Sequence, residues 1–279
     1  MQIRPEDQLV LDHVAARRDD LIERAVGWAN INSGSRNADG LDRVLTALEQ
    51  TVKHLPCTVE RVATASSSRI EDDGTEVPLG FAPALQLTLR PEAPIQIVLT
   101  GHYDTVFDAD SPFRTVGTRE DGALHGPGIA DMKGGISVML GALEAFEQHT
   151  DKARVGWTVL LSPDEEIGSP GSAPLLADSG ARGHLGLTYE PSLPDGSLAG
   201  ARKGSGNFHI VVRGRSAHAG RAYHEGVNAM AGAARLATAL DDLNGQREGV
   251  TVNVARISGG APLNVVADTA VVRFNVRVP

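Results

Sequence analysis

Residues 155–166 read VGWTVLLSPDEE, seven mostly apolar residues that stop at Ser162 and run into three acidic side chains. A run this short and continuous is the pattern of a strand buried on both faces. Leu185–Tyr189 repeats it and runs into Glu190, and Ile95–Thr100 runs into Gly101-His102-Tyr103-Asp104. Leu85–Arg90 is a further strand, and Pro91-Glu92-Ala93-Pro94 predicts a hairpin turn between it and Ile95–Thr100. Apolar residues at helical spacing predict helices over about Glu6–Asn30, over Leu41–Val52 and around Ile136–Phe146. Residues 62–84, rich in Ser, Asp, Gly and Pro, read as an irregular excursion. Strands alternating with helices predict an α/β fold with a mostly parallel central sheet flanked by helices.

The pattern changes near Gly200. Asn207–Arg213 alternates apolar and polar residues, Val227–Leu243 is alanine-rich and helical, and Val250–Ile257 and Val265–Val278 read as strands. This β-α-β-β order predicts a smaller α+β domain with an antiparallel sheet, and the division falls at 202/203, giving domains 1–202 and 203–279.

Composition narrows the function classes. With 26 Lys+Arg against 35 Asp+Glu the net charge is −9, which offers no field to attract nucleic acid or an anionic membrane. The single cysteine, Cys57, excludes a disulfide framework and a cysteine zinc cluster. No apolar run approaches the roughly 18 residues needed to span a bilayer. The start, MQIRPEDQLVLDH, lacks the apolar core of a signal peptide, so a cytoplasmic protein is expected. A G-x-S-x-G elbow is absent, and Gly126-x-Gly128 is too short for a dinucleotide fingerprint.

The polar residues sit just past the apolar strands, and a fourth group, Gly126-Pro127-Gly128-Ile129-Ala130-Asp131, directly precedes the third helix. In an open α/β sheet the carboxyl ends of strands form the ligand crevice, so one imidazole and several carboxylates would converge there. Crowded carboxylates resist ionisation unless a cation neutralises them, and a mixed His/Asp/Glu set suits zinc. Taken singly, each motif has an ordinary reading: a surface His-x-Asp, a solvated Glu-Glu, an Asp capping a helix. Their joint occurrence at strand ends does not.

GHYDTV, GPGIADMKGG, SPDEEIGSPGS and YEP together resemble the zinc-dependent M20 metallopeptidases, a likeness that continues through GRSAHAG, EGVNAM and LNVVADTAVVRFNVR. The resemblance implies two zinc ions, with cobalt or manganese as substitutes, bridged by Asp131. His102 and Glu190 would bind one ion and Glu166 the other. Asp104 would orient His102 through its second ring nitrogen, and Glu165 would serve as general base. It also implies that residues 1–202 are the catalytic domain and 203–279 a lid through which two copies dimerise. There His218 would stabilise the oxyanion in the partner's site, while Asn264 and Arg277 would hold a substrate carboxylate. The expected substrate is a small peptide or N-acyl amino acid, cleaved at an amide next to a free carboxylate by a carboxypeptidase or deacylase.

The family carries a further metal-binding histidine toward its C-terminus, whereas the last histidine here is His224 and the chain stops at Pro279. On the resemblance this is a C-terminally truncated member, with the return of the catalytic domain and the end of the lid missing. A second reading therefore stands beside the enzyme: a non-catalytic fragment or degenerate homologue that folds and dimerises but lacks a complete metal site.

Overall fold

The computed structural model describes residues 3–279. They form two compact units, one containing the chain up to Ser67 and Gly80–Ser192, the other Ser68–Leu79 and Leu193–Pro279. The elements in chain order are α1 (Pro5–Ala16), α2 (Arg18–Ala29), α3 (Ala38–Val52), β1 (Thr58–Val62), β2 (Ser67–Ile70), β3 (Glu76–Leu79), β4 (Ala84–Leu89), β5 (Ile95–His102), β6 (Gly117–Thr118), β7 (Leu124–His125), α4 (Gly134–Phe146), β8 (Val155–Ser162), α5 (Ala173–Arg182), β9 (Leu185–Thr188), β10 (Gly204–Arg213), α6 (Ala229–Asp241), β11 (Thr251–Gly259) and β12 (Thr269–Val278).

The first unit is built on a five-stranded sheet of order β1-β4-β8-β5-β9. The sheet is mixed rather than mostly parallel: β1/β4 and β4/β8 are antiparallel, while β8/β5 and β5/β9 are parallel. The expected hairpin between β4 and β5 does not form. Thr158 of β8 lies between them, opposite Thr88 on one side and Val98 on the other. β8 is the most buried strand of this sheet, with Trp157, Val159, Leu160 and Leu161 almost wholly buried, because the centre of the sheet covers both its edges and both its faces. β9, predicted to be buried on both faces, is an edge strand whose Leu185 and Leu187 are exposed.

Helices supply the rest of the core. The side chain of Asn37 caps α3 by accepting from the Gly40 N–H at 3.1 Å. Leu41, Val44, Leu45, Leu48 and Val52 then form one buried face of α3. Full burial of each such side chain contributes about 1.5–3 kcal/mol. The predicted first helix is two, broken at Arg17. The break turns the Arg17 guanidinium onto Glu144 of α4 at 2.7 Å, while Arg24 of α2 reaches the other oxygen of Glu144 at 2.8 Å. This ion pair on a buried carboxylate is invisible in hydrophobic spacing.

In the second unit β10, β12 and β11 form an antiparallel sheet, and α6 packs Ala229 and Ala233 against Ala270 and Val272. Part of the expected excursion is the hairpin β2/β3, which belongs to this unit. Three arginines grip its turn: Arg213 donates to the Gly74 carbonyl at 3.0 Å, Arg273 to the Ile70 carbonyl at 2.7 Å, and Arg256 and Arg273 both pair with Asp72. The division between the units therefore falls at Ser192/Leu193 rather than 202/203, with residues 68–79 added to the second.

Candidate metal centre

The parallel register of β5 on β8 sets His102 opposite Ser162, so both strands deliver their polar ends to the same edge of the sheet. The Tyr103 N–H donates to the Ser162 carbonyl at 2.9 Å and holds the two exits together. Past β8, Glu165–Ile167 form one helical turn, and fully buried Asp164 accepts from the Gly171 and Ser172 N–H groups at the start of α5. Asp131 lies on the turn Ile129–Lys133 before α4, which Gly128 enters with φ +65°, a conformation glycine adopts without strain. Glycine is also needed at 135, because a methyl there would lie 2.0 Å from the Tyr189 carbonyl oxygen. The start of α4 can therefore approach the exit of β9, where Glu190 follows.

These exits converge on His102, whose side chain is fully buried. Its Nε2 lies 3.0 Å from Asp131 Oδ1, 3.7 Å from Glu190 Oε1 and 3.9 Å from Glu165 Oε2. Single donor atoms of His102, Asp131 and Glu190 all fall within 4.8 Å of one another. On the other side of the ring Nδ1 is 3.2 Å from Asp104 Oδ1. Asp104, itself fully buried, also accepts from the Ser35 hydroxyl at 2.7 Å and from the Glu165 and Glu166 N–H groups at 3.3 and 3.2 Å. One carboxylate thus orients the imidazole and the Glu165-Glu166 turn together.

The electrostatics follow from this crowding. Burial disfavours the imidazolium of His102, but hydrogen bonds and charges from Asp104 and Glu190 outweigh it and raise the ring to about 11. Burial, reinforced by the charge of Asp131, pushes Glu166 up to about 7. Glu165 is raised by burial and by Glu190, Asp104 and Asp131, against the opposing charge of His102. Carboxylates that resist ionisation, with an oriented imidazole among them, form a donor set that a divalent cation satisfies.

Of the expected ligands, His102, Asp131 and Glu190 form the compact trio, and Glu166 stands outside it, near enough for the charge of Asp131 to raise its carboxyl. In the second unit His218 and Asn264 are neighbours: the Ala219 N–H donates to the Asn264 carbonyl at 2.9 Å, and His218 bridges to Val265. Arg277 is at the other end of β12, roughly 25 Å along an extended strand. A single unit does not bring Asn264 and Arg277 together. Sequence reasoning missed Ser35, because nothing local shows that the segment carrying it folds back onto Asp104.

Residues 98–276 match the family described as Peptidase family M20/M25/M40. The chain belongs to this peptidase family. Carboxypeptidase G2 from Pseudomonas sp. (strain RS-16) is an M20 relative 28% identical over 276 residues, covering 97% of this chain and 63% of its own. Succinyl-diaminopimelate desuccinylase from Methylorubrum extorquens is 36% identical over 205 residues, covering 65% of this chain and 51% of its own. The chain therefore spans between half and two-thirds of the length of these relatives. The M20 fold is matched by human carnosine dipeptidase 1, with TM-score 0.63, 16% identity, and 97% and 72% of the two chains covered. It is matched as well by the metallo-carboxypeptidase Sso-CP2 from Sulfolobus solfataricus, with TM-score 0.60, 15% identity, and 93% and 71% covered.

Proposed function

We propose that this chain carries the catalytic centre of a metal-dependent hydrolase that cleaves an amide bond next to a free carboxylate, in a small peptide or N-acyl amino acid. The observation that carries this reading is the trio His102, Asp131 and Glu190, with donor atoms within 4.8 Å of one another and the imidazole oriented by buried Asp104. His102 and Glu190 would hold one zinc ion, Glu166 a second, and Asp131 both. Such ions polarise the scissile carbonyl and lower the pKa of water. Glu165 takes the proton from the attacking water and returns it to the leaving amine nitrogen. Its carboxyl, raised by burial and by neighbouring acids, is tuned toward the working pH of a general base. Asp104 keeps the His102 Nδ1 side occupied, leaving Nε2 for the metal. His218 and Asn264 from the second unit would donate to the oxyanion and the substrate carboxylate in a second copy of the chain, and Arg277 would make a separate carboxylate contact.

The trio contains one histidine, and Glu166 stands apart from it, which favours the second reading of a folded, dimerising, non-catalytic chain. Zinc titration with an N-acyl glutamate as substrate separates the two. Turnover that Glu165→Gln removes by about 10²-fold or more while zinc stays bound supports the hydrolase. Zinc binding without turnover favours the second reading, and failure to bind zinc overturns both the metal site and the reaction.

A further inference from the structure

Lys133 has no part in the chemistry above, yet it alone among the described lysines and arginines is buried, with 1% of its surface exposed. An ammonium is not left in the interior without partners. Its Nζ donates to the Ser33 hydroxyl oxygen at 2.7 Å and lies 3.4 Å from the Ile31 carbonyl, and Asp104 supplies the nearby negative charge. The Lys133 N–H donates to the Gly128 carbonyl at 2.9 Å, closing the turn that carries Asp131 two residues earlier. Ser33, also fully buried, passes the connection on: its hydroxyl donates to the Tyr103 carbonyl at 2.8 Å, and its own carbonyl accepts from the Thr105 N–H at 2.9 Å.

The turn of Asp131 and the strand exit of His102 and Asp104 come from separate stretches of chain. The Lys133–Ser33–Tyr103 bonds tie them into one frame, and the 3.0 Å approach of Asp131 Oδ1 to His102 Nε2 lies inside that frame. We infer that Lys133 and Ser33 are positioning residues that set Asp131 against His102 for metal binding. Neither touches the donor atoms. The inference rests on the metal reading given above.

The test is cobalt titration of the wild-type chain, Ser33→Ala, Ser33→Thr and Lys133→Met, followed by the visible absorption of bound Co(II) and accompanied by thermal unfolding of the metal-free forms. Ser33→Ala should weaken cobalt binding about 10–100-fold and shift the absorption bands, the scale expected when a ligand loses its support. Ser33→Thr keeps the hydroxyl and should restore both. Lys133→Met should reproduce or exceed the alanine effect; if it does not fold, the two Ser33 variants decide. Affinity within twofold of wild type and an unchanged spectrum for Ser33→Ala would overturn the role, as would a lowered melting temperature with binding and spectrum intact. Failure of the wild-type chain to bind cobalt would instead remove the metal reading on which the role depends.

Discussion

Asp104→Asn replaces a carboxylate that four groups share with an amide of the same size. The carboxylate accepts from Ser35 Oγ at 2.7 Å and from the Glu165 and Glu166 N–H groups at 3.3 and 3.2 Å, and it faces His102 Nδ1 at 3.2 Å. An amide has one acceptor oxygen and presents N–H groups where the second oxygen was, so about two of these contacts become donor against donor. A hydrogen bond involving a charged group contributes about 1.5–3 kcal/mol, so the metal-free chain should lose about 3–6 kcal/mol. That is a large share of the 5–15 kcal/mol typical of a domain. The turn of Glu165 and Glu166 loses its anchor at the same time, and metal affinity should fall about 10–100-fold. Urea unfolding with and without chelator reads the first effect, and competition with a chromophoric chelator reads the second. A loss under about 1 kcal/mol together with unchanged metal affinity would refute the claim that Asp104 organises both the imidazole and the acidic turn.

Three more outcomes can be checked. In the metal-free chain His102 stays protonated up to about 11 and Glu166 up to about 7, so metal uptake must expel protons and apparent affinity should rise with pH, more steeply below 7 than above; affinity independent of pH between 6 and 9 would contradict this. Glu147 accepts both terminal nitrogens of Arg90 at 2.6 and 2.8 Å and the Trp157 indole N–H at 2.9 Å, and although burial opposes it, these bonds hold its carboxyl below the usual range. Its stabilisation is therefore present above the unfolded value near 4.5 and is lost as pH falls through the native one; Glu147→Gln should cost about 1.5–3 kcal/mol in urea at pH 7, and the gap should close in acid. Mixing inactive His218→Ala and Glu165→Gln chains should regain activity, since a mixed dimer holds one site with both wild-type residues; confirmed mixed dimers with no activity would place His218 outside the site of a second copy.

The sheet's strands and the polar groups at their ends were legible because apolar runs and motif spacing are local properties. Pairing was not. Pro91–Pro94 reads as a hairpin turn, but β8 enters between β4 and β5 because the centre of the sheet suits its continuous apolar run. The exposure of β9 depends on its place at the edge, which no feature of Leu185–Thr188 announces. The hairpin β2/β3 was hidden by composition: Ser67–Ile70 and Glu76–Leu79 carry few apolar residues, and their partners are arginines more than a hundred residues away. Within the centre, His102, Asp131 and Glu190 are legible from their positions beyond strands or before a helix. The supports Ser33, Ser35 and Lys133 are not, because each acts through a fold-back contact between distant segments.

The hairpin of residues 68–79 also bears on the order in which the chain folds. Its bonds to Arg213, Arg256 and Arg273 join residues separated by 139, 184 and 203 positions. Closing loops of that length costs entropy before any contact rewards it, so these bonds belong late in folding. The second unit is discontinuous in sequence, and a fragment beginning at Leu193 would lack Asp72, leaving Arg256 and Arg273 without their anionic partner and Arg213 without the Gly74 carbonyl. During synthesis the hairpin must wait for the rest of its unit to emerge, and a cut at Ser192/Leu193 would separate it from the sheet whose arginines hold it.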